Sequence, residues 1–230
     1  MTQFMSNSLF FGAAISLIAY EAGLLLKRKF KMAIFNPLLI AIIAVIAVLC
    51  LLHIDYDTYN QSGQYISYLL TPATVCLAVP LYQQMELLKK NLKAVVIGIV
   101  SGVLASMVSV MLLAKMFRLS HEQYVTLLPK SITTAIGMGV SEELGGIVTI
   151  TVAVIIITGV LGNMIAETVI RLAHIEEPIA KGLALGTSAH AIGTAKAMEL
   201  GEVEGAMSSL AIAVAGLLTV VGASVFAQFM

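Results

Sequence analysis

Long runs without a charged side chain set the limits on this chain. Ile66–Met85, Ala94–Ala114, Ile147–Ala166 and Ala206–Met230 contain none, Pro37–Ile54 is nearly as clean, and Leu9–Leu26 is broken only by Glu21. A bilayer span needs about 20 mostly apolar residues, and each run is close to that length. The runs are apolar on all sides and do not alternate with a period of two, so they predict helices rather than barrel strands. Composition agrees: 59% of the residues are hydrophobic and 11% charged, against about 25% charged in a soluble domain. We therefore expect an all-α polytopic membrane protein of about six transmembrane helices. The whole of 1–230 reads as a single integral membrane domain in contact with the lipid bilayer.

Charge then orients the chain. The 13 basic and 13 acidic residues cancel, which argues against nucleic acid as a partner. The start, MTQFMSNS, lacks a basic n-region, so the first span is expected to be retained rather than cleaved. Lys and Arg collect in cytoplasmic loops. Lys27, Arg28, Lys29 and Lys31 follow the first run, and Lys89, Lys90 and Lys93 follow the third, while Asp55 and Asp57 lie between the second and third. These place the N-terminus outside and the loop with Arg171, His174 and Lys181 inside; Lys115 and Arg118 fall outside in this scheme. Cys50 and Cys76 lie in apolar runs and read as buried small apolar residues, not as a disulfide or metal pair.

Two polar segments interrupt the pattern: PKSITTAIGMGVSEELGG, Pro129–Gly146, and GLALGTSAHAIGTAKAMELG, Gly182–Gly201. Irregular backbone at membrane depth persists only where protein or a watery cavity surrounds it. Both segments are expected to be re-entrant or broken helical elements. They also resemble each other. Ala135-Ile136-Gly137 and Ala191-Ile192-Gly193 are 191 − 135 = 56 residues apart, as are Glu143-Leu144-Gly145 and Glu199-Leu200-Gly201. An internal repeat follows, with units at approximately 94–149 and 150–205. It is inverted if each segment enters and leaves on one side, and not inverted if each crosses; the residues leave this open. A fainter third copy holds Pro72 and Pro80 inside a run, where proline kinks or breaks a helix. Repeats with broken helices near the midplane are the plan of many secondary transporters.

Candidate substrate-binding residues follow from the cost of charge in a membrane, roughly 2.5–3.5 kcal/mol at the centre of a span. Lys130 and Lys196 suit a substrate carboxylate, and the competing role is pairing with a glutamate or snorkelling to the interface. Ser131, Thr133, Thr134, Thr187, Ser188 and Thr194 offer hydroxyls for a small hydroxylated anion, or cap and bridge helices. His190 could bind substrate or carry a proton. Glu143 and Glu199 are supporting charges, and Thr71 and Thr74 would line the same cavity. No H-E-x-x-H spacing, P-loop or dinucleotide fingerprint is present, so neither an enzyme, a metal site nor an ATP-driven pump is expected, and no cofactor.

The stretches NPLLIA (Asn36–Ala41), PATVCLAVPLY (Pro72–Tyr82), LLPKSITTAIGMGVSEELGGI (Leu127–Ile147), TGVLG (Thr158–Gly162) and KGLALGTSAHAIGTAKAMELGEVEGAMSSLA (Lys181–Ala211) resemble the LrgB/CidB family. That family includes antiholin-like proteins and bacterial relatives of the plastidial glycolate/glycerate translocator. Two departures stand out: Ala135 where the family has proline after the paired threonines, and Glu167 where an uncharged residue or histidine is usual. The resemblance implies a multi-pass protein of the bacterial cytoplasmic (inner) membrane. It implies either transport of small carboxylates (glycolate, glycerate or pyruvate) by alternating access, or antiholin-like regulation of murein hydrolase export and autolysis, or a pore, without a saturable substrate. A small LrgA/CidA-type membrane protein is an expected partner. Homo-oligomerisation is expected too, because a moving domain needs an anchored one.

Overall fold

The computed structural model describes residues 10–30 and 35–230, with no side-chain description for Leu70, Thr71 and Thr74. The described chain is all-α. In order the helices are α1 (Phe11–Phe30), α2 (Pro37–Leu52), α3 (Tyr56–Ser67), α4 (Leu70–Cys76), α5 (Ala78–Gln83), α6 (Met85–Lys90), α7 (Leu92–Met116), α8 (His121–Leu127), α9 (Thr134–Glu143), α10 (Val148–Leu172), α11 (Pro178–Leu200) and α12 (Glu202–Phe226), closed by a short 3-10 turn. Two compact units divide the chain, one ending at Cys76 and one beginning at Leu77.

In the first unit, α1 packs on α2 and α3. Close approach needs glycine there. A Cβ on Gly12 would meet the Tyr59 carbonyl, and one on Gly23 would lie 2.7 Å from the carbonyl oxygen of Pro37. The freed surface carries polar links: Gly12 N donates to Ser62 Oγ at 2.6 Å, and Ser16 Oγ and Tyr59 OH are 2.8 Å apart. Asn36 starts α2 by accepting from the amides of Leu38 (2.9 Å) and Leu39 (3.2 Å), and Pro37 occupies the first turn, where its missing N–H costs nothing.

The run Ile66–Met85 is broken, as the two prolines inside it predict. It is divided among α3, α4, α5 and α6. Pro72 and Pro80 each fall in the first turn of a short helix, the position where proline is tolerated. Cys50 and Cys76, expected as buried, are exposed. An all-apolar helix gives no sequence cue to which face meets protein and which meets lipid.

The second unit carries three helices long and apolar enough to cross a membrane: Leu92–Met116, Val148–Leu172 and Glu202–Phe229. Their outward faces are as apolar as their cores. Ile97 is 68% and Leu217 71% exposed, the pattern of helices that lie in hydrocarbon. Limits and buried positions recur at the 56-residue spacing. α7 and α10 start 148 − 92 = 56 and end 172 − 116 = 56 residues apart. Val95, Thr151 and Met207 are buried, as are Ile99, Ile155 and Ala211, each trio in steps of 56.

Both polar segments are helical hairpins that enter and leave at one end. In α11 the direction reverses at Ala189 (φ −129°, ψ 17°) and His190 (φ 41°, ψ −136°). A straight helix would hold residues eight apart about 12 Å from each other. Here a Cβ on Gly193 would lie 2.5 Å from the Leu185 carbonyl oxygen and 2.7 Å from Ala189 Cβ. The ingoing limb runs back along α10, with Ala189 against Gly162; the outgoing limb runs with α10, pairing Asn163 with Ile192 and Glu167 with Lys196. The first segment does the same from the opposite end of α10. Thr126 of α8 and Ser141 of α9 both meet Thr151 near the start of α10, and Gly137 reaches Ile155.

Candidate functional site

The tips of the two hairpins converge on Ile155. A Cβ on Gly137 would collide with its side chain, and its carbonyl accepts from His190 Nε2 at 3.0 Å. A carbonyl only accepts, so this bond places the ring proton on Nε2. His190 has a positive φ and a ψ that few residues other than glycine adopt. The surroundings hold it there. Gly159 clears space for the ring, since a Cβ would stand 2.7 Å from Cε1 and 2.8 Å from Nε2. Gly162 clears space for Ala189, and Asn163 Nδ2 donates to the Ile192 carbonyl at 2.9 Å. Gly159, Gly162 and Asn163 thus form the seat of the reversal. They were not among the expected site residues, although two glycines and a lone asparagine inside an uncharged run are a visible signal.

On the outgoing limb, Thr194 Oγ1 donates to the His190 carbonyl at 3.1 Å and lies 2.6 Å from Ser208 Oγ of α12. Its single proton is thereby committed, so Ser208 donates to it. Both hydroxyls are buried. Lys196 is buried as well. Its ammonium pairs with Glu167 of α10 and, at 3.0 Å, with Glu199 Oε2. Lys196 is six residues past the reversal, about 9 Å along the limb, and so sits between the tip and the mouth of the hairpin. On the ingoing limb Thr187 Oγ1 donates to the Leu183 carbonyl at 2.8 Å, and Ser188 Oγ to that of Ala184 at 2.6 Å. Thr187 is buried and Ser188 exposed.

In the first hairpin, Lys130 Nζ donates to Ser131 Oγ at 3.0 Å, and Ser131 Oγ is 2.9 Å from Ser106 Oγ of α7. Thr133 precedes α9 in an extended conformation and Thr134 begins it; both are half-buried. These two residues stand 56 before Ala189 and His190, so the two hairpins turn at matched positions. Glu143 is exposed at the far end of α9, near the hairpin's mouth. Lys130, Ser131, Thr133 and Thr134 therefore gather at one tip and His190 with Thr194 at the other, while Lys196, Glu199 and Glu167 form a separate charged group. The side chains of Thr71 and Thr74 lie outside the described residues.

Two cavities flank the second hairpin. One, of about 640 Å³, lies between α7 and the ingoing limb and includes Ser101, Gly102, Glu177 and Thr187. The other, of about 380 Å³, lies at the hairpin's mouth and includes Glu167, Arg171, Lys181 and Leu200. Among the described residues no group of three or more His, Cys, Asp or Glu is placed to hold a metal ion.

Residues 16–229 match the sequence profile of the LrgB-like family. The chain is 40% identical over 221 residues to the antiholin-like protein LrgB of Bacillus mycoides, covering 96% of each. It is 39% identical to antiholin-like LrgB proteins of Bacillus cereus and Bacillus anthracis, again over 96% of both chains. No solved structure matches. Whole-length identity to these relatives, together with the family match over nearly all the chain, means that this protein belongs to the LrgB family.

Proposed function

We propose that the chain is a multi-pass transporter of small carboxylates, of the glycolate, glycerate or pyruvate class, in the bacterial cytoplasmic membrane. One observation carries this reading: two polar hairpins enter from opposite ends of α10 and bring their tips together at Ile155. Oppositely directed broken or re-entrant elements that meet inside the protein are the plan of many alternating-access transporters. The tips supply Lys130, Ser131, Thr133, Thr134, His190 and Thr194 as substrate contacts, with Thr187 and Ser188 beside them on the ingoing limb. Lys196, between its two glutamates, is the cation a carboxylate meets on the way to the tips. α1, α2, the broken α3–α6 stretch, α7, α10 and α12 make up the crossings of this scheme. It involves no catalysis, a homo-oligomer as anchor, and a small LrgA/CidA-type protein as partner.

A second reading is favoured by the relatives. They are named antiholin-like, which speaks for regulation of murein hydrolase export and autolysis, or a pore, and names no substrate. The comparisons lean toward this reading; the hairpin geometry leans toward transport. Uptake of labelled glycolate, glycerate and pyruvate into proteoliposomes separates them. Transport predicts saturable uptake that falls at least tenfold in Lys196→Ala and is partly kept in Lys196→Arg. Absence of uptake by folded protein, with a pH gradient and with the LrgA-type partner co-reconstituted, leaves the antiholin-like reading.

A further inference from the structure

We infer that the cavity at the mouth of the second hairpin is an entry vestibule for a small carboxylate, in which Glu167 holds Lys196 until the incoming carboxylate replaces it. The inference rests on the transport reading and assigns a binding role to Glu167, Arg171 and Lys181. The cavity has about 380 Å³, within the roughly 300–1,000 Å³ of small-molecule sites. It is bounded by α10 (Glu167, Arg171), by the turn beyond it (His174, Glu176), and by both limbs of the hairpin (Lys181 ingoing, Leu200 outgoing). The vestibule therefore opens where the two limbs meet α10.

Glu167 belongs to both the vestibule and the buried ion pair. Its side chain is 53% exposed, while that of Lys196 is 11% exposed. The carboxylate thus stands in the open cavity with the less exposed ammonium behind it. Glu199 holds the same ammonium from the outgoing limb. A substrate carboxylate entering the vestibule is chemically the same acceptor as Glu167. It can take that place while Glu199 stays, and Lys196 is never left buried without a counter-charge, which is the costly event for a buried cation. Arg171 offers the planar donor fork that grips a carboxylate through two bonds, and Lys181 adds a second cation. Glu167 in this arrangement competes with substrate and sets how strong a ligand must be to enter.

The test is glycolate binding to the detergent-solubilised full chain by calorimetry, with glycolamide as the uncharged control. Glu167→Gln removes the competitor and is expected to tighten glycolate by roughly fivefold, about what an ion pair with one half-exposed partner is worth, without gaining glycolamide binding. Arg171→Gln is expected to weaken glycolate by a similar factor. Where Glu167→Gln elutes as aggregate, Glu167→Asp, with its carboxylate one methylene farther from Lys196, reads the same competition and is also expected to tighten binding. Unchanged or weaker glycolate binding by a folded Glu167 variant overturns the vestibule. If wild type binds glycolate and Lys196→Ala abolishes it while the Glu167 and Arg171 variants match wild type, the vestibule falls and transport stands. If wild type binds no glycolate and takes up none of glycolate, glycerate or pyruvate in proteoliposomes, with a pH gradient and the LrgA-type partner co-reconstituted, both fall.

Discussion

His190 is where the outgoing limb begins, and its backbone and its ring make separable contributions. The backbone sits at φ 41° and ψ −136°, which costs a non-glycine residue about 1–3 kcal/mol. The ring returns a bond to the Ile155 carbonyl. His190→Ala loses the bond and keeps the strain, whereas His190→Gly loses the bond and relieves the strain. We expect the glycine variant to melt at a higher temperature than the alanine variant, measured by circular dichroism in detergent; the reverse order would show that the backbone there is unstrained. Gly159 gives the complementary experiment. Its α-hydrogen faces the His190 ring, so Gly159→Ala forces the ring or the limb away and should cost about 1–3 kcal/mol. Gly139 has nothing within 4 Å of a built Cβ, and Gly139→Ala should leave stability unchanged or raise it by up to about 1 kcal/mol. Residue type alone pointed to His190, as the one histidine in a polar segment. It did not point to the reversal, because a histidine in that backbone conformation is dictated by neighbours distant in sequence.

At the scale of elements, apolar runs were enough to place α7, α10 and α12, since a helix that lies in hydrocarbon needs little more than length and hydrophobicity. The 56-residue spacing was also readable, and helix limits and buried faces follow it. Whether the polar segments cross or re-enter was not readable. That choice depends on close contacts such as Gly193 with Leu185 and Ala189, which join residues through the fold rather than through any periodicity. In Ile66–Met85 the break was legible from Pro72 and Pro80, although hydropathy, which averages over proline, does not show it. The ion pair of Lys196 with Glu167 was missed for a similar reason: the partners are 29 residues apart (196 − 167), and only the returning limb brings them together. The first hairpin's anchor was missed as well. Thr126 Oγ1 accepts from Ile147 N at 2.8 Å, and Thr151 Oγ1 lies 2.9 Å from the Thr126 carbonyl and 2.7 Å from Ser141 Oγ. Ser141 and Thr151 are fully buried. Thr151→Val keeps the shape and strands these partners, so a loss of about 1–3 kcal/mol is expected. Thr149→Val, exposed in the same turn, should leave stability within about 0.5 kcal/mol of wild type; equal effects of the two would mean that the buried hydroxyls do not tie α8 and α9 to α10.

For the whole molecule, the hairpins decide the sidedness of loops in a way that hydropathy counting cannot. A segment that re-enters returns its ends to one side. Arg118, before α8, and Glu142, at the end of α9, should therefore face the same compartment. His174, beyond α10, and Glu202, at the start of α12, should share the opposite one, because only α10 crosses between the pairs. The basic clusters at Lys27–Lys29 and Lys89–Lys93 set the absolute sense by the preference of Lys and Arg for the cytoplasm. Arg118 and Glu142 are then expected outside, and His174 and Glu202 inside. Cys50 and Cys76 are exposed, so the measurement starts from a chain with both replaced by alanine. Arg118→Cys, Glu142→Cys, His174→Cys and Glu202→Cys, made one at a time, are labelled with a membrane-impermeant maleimide on intact spheroplasts and after permeabilisation. We expect the first two to react in intact spheroplasts and the last two only once the membrane is opened. Opposite sides for Arg118 and Glu142, or for His174 and Glu202, would mean that the segment between them crosses, and the inverted arrangement on which alternating access rests would be lost. All four reversed together would preserve the hairpins and overturn only the charge-based orientation.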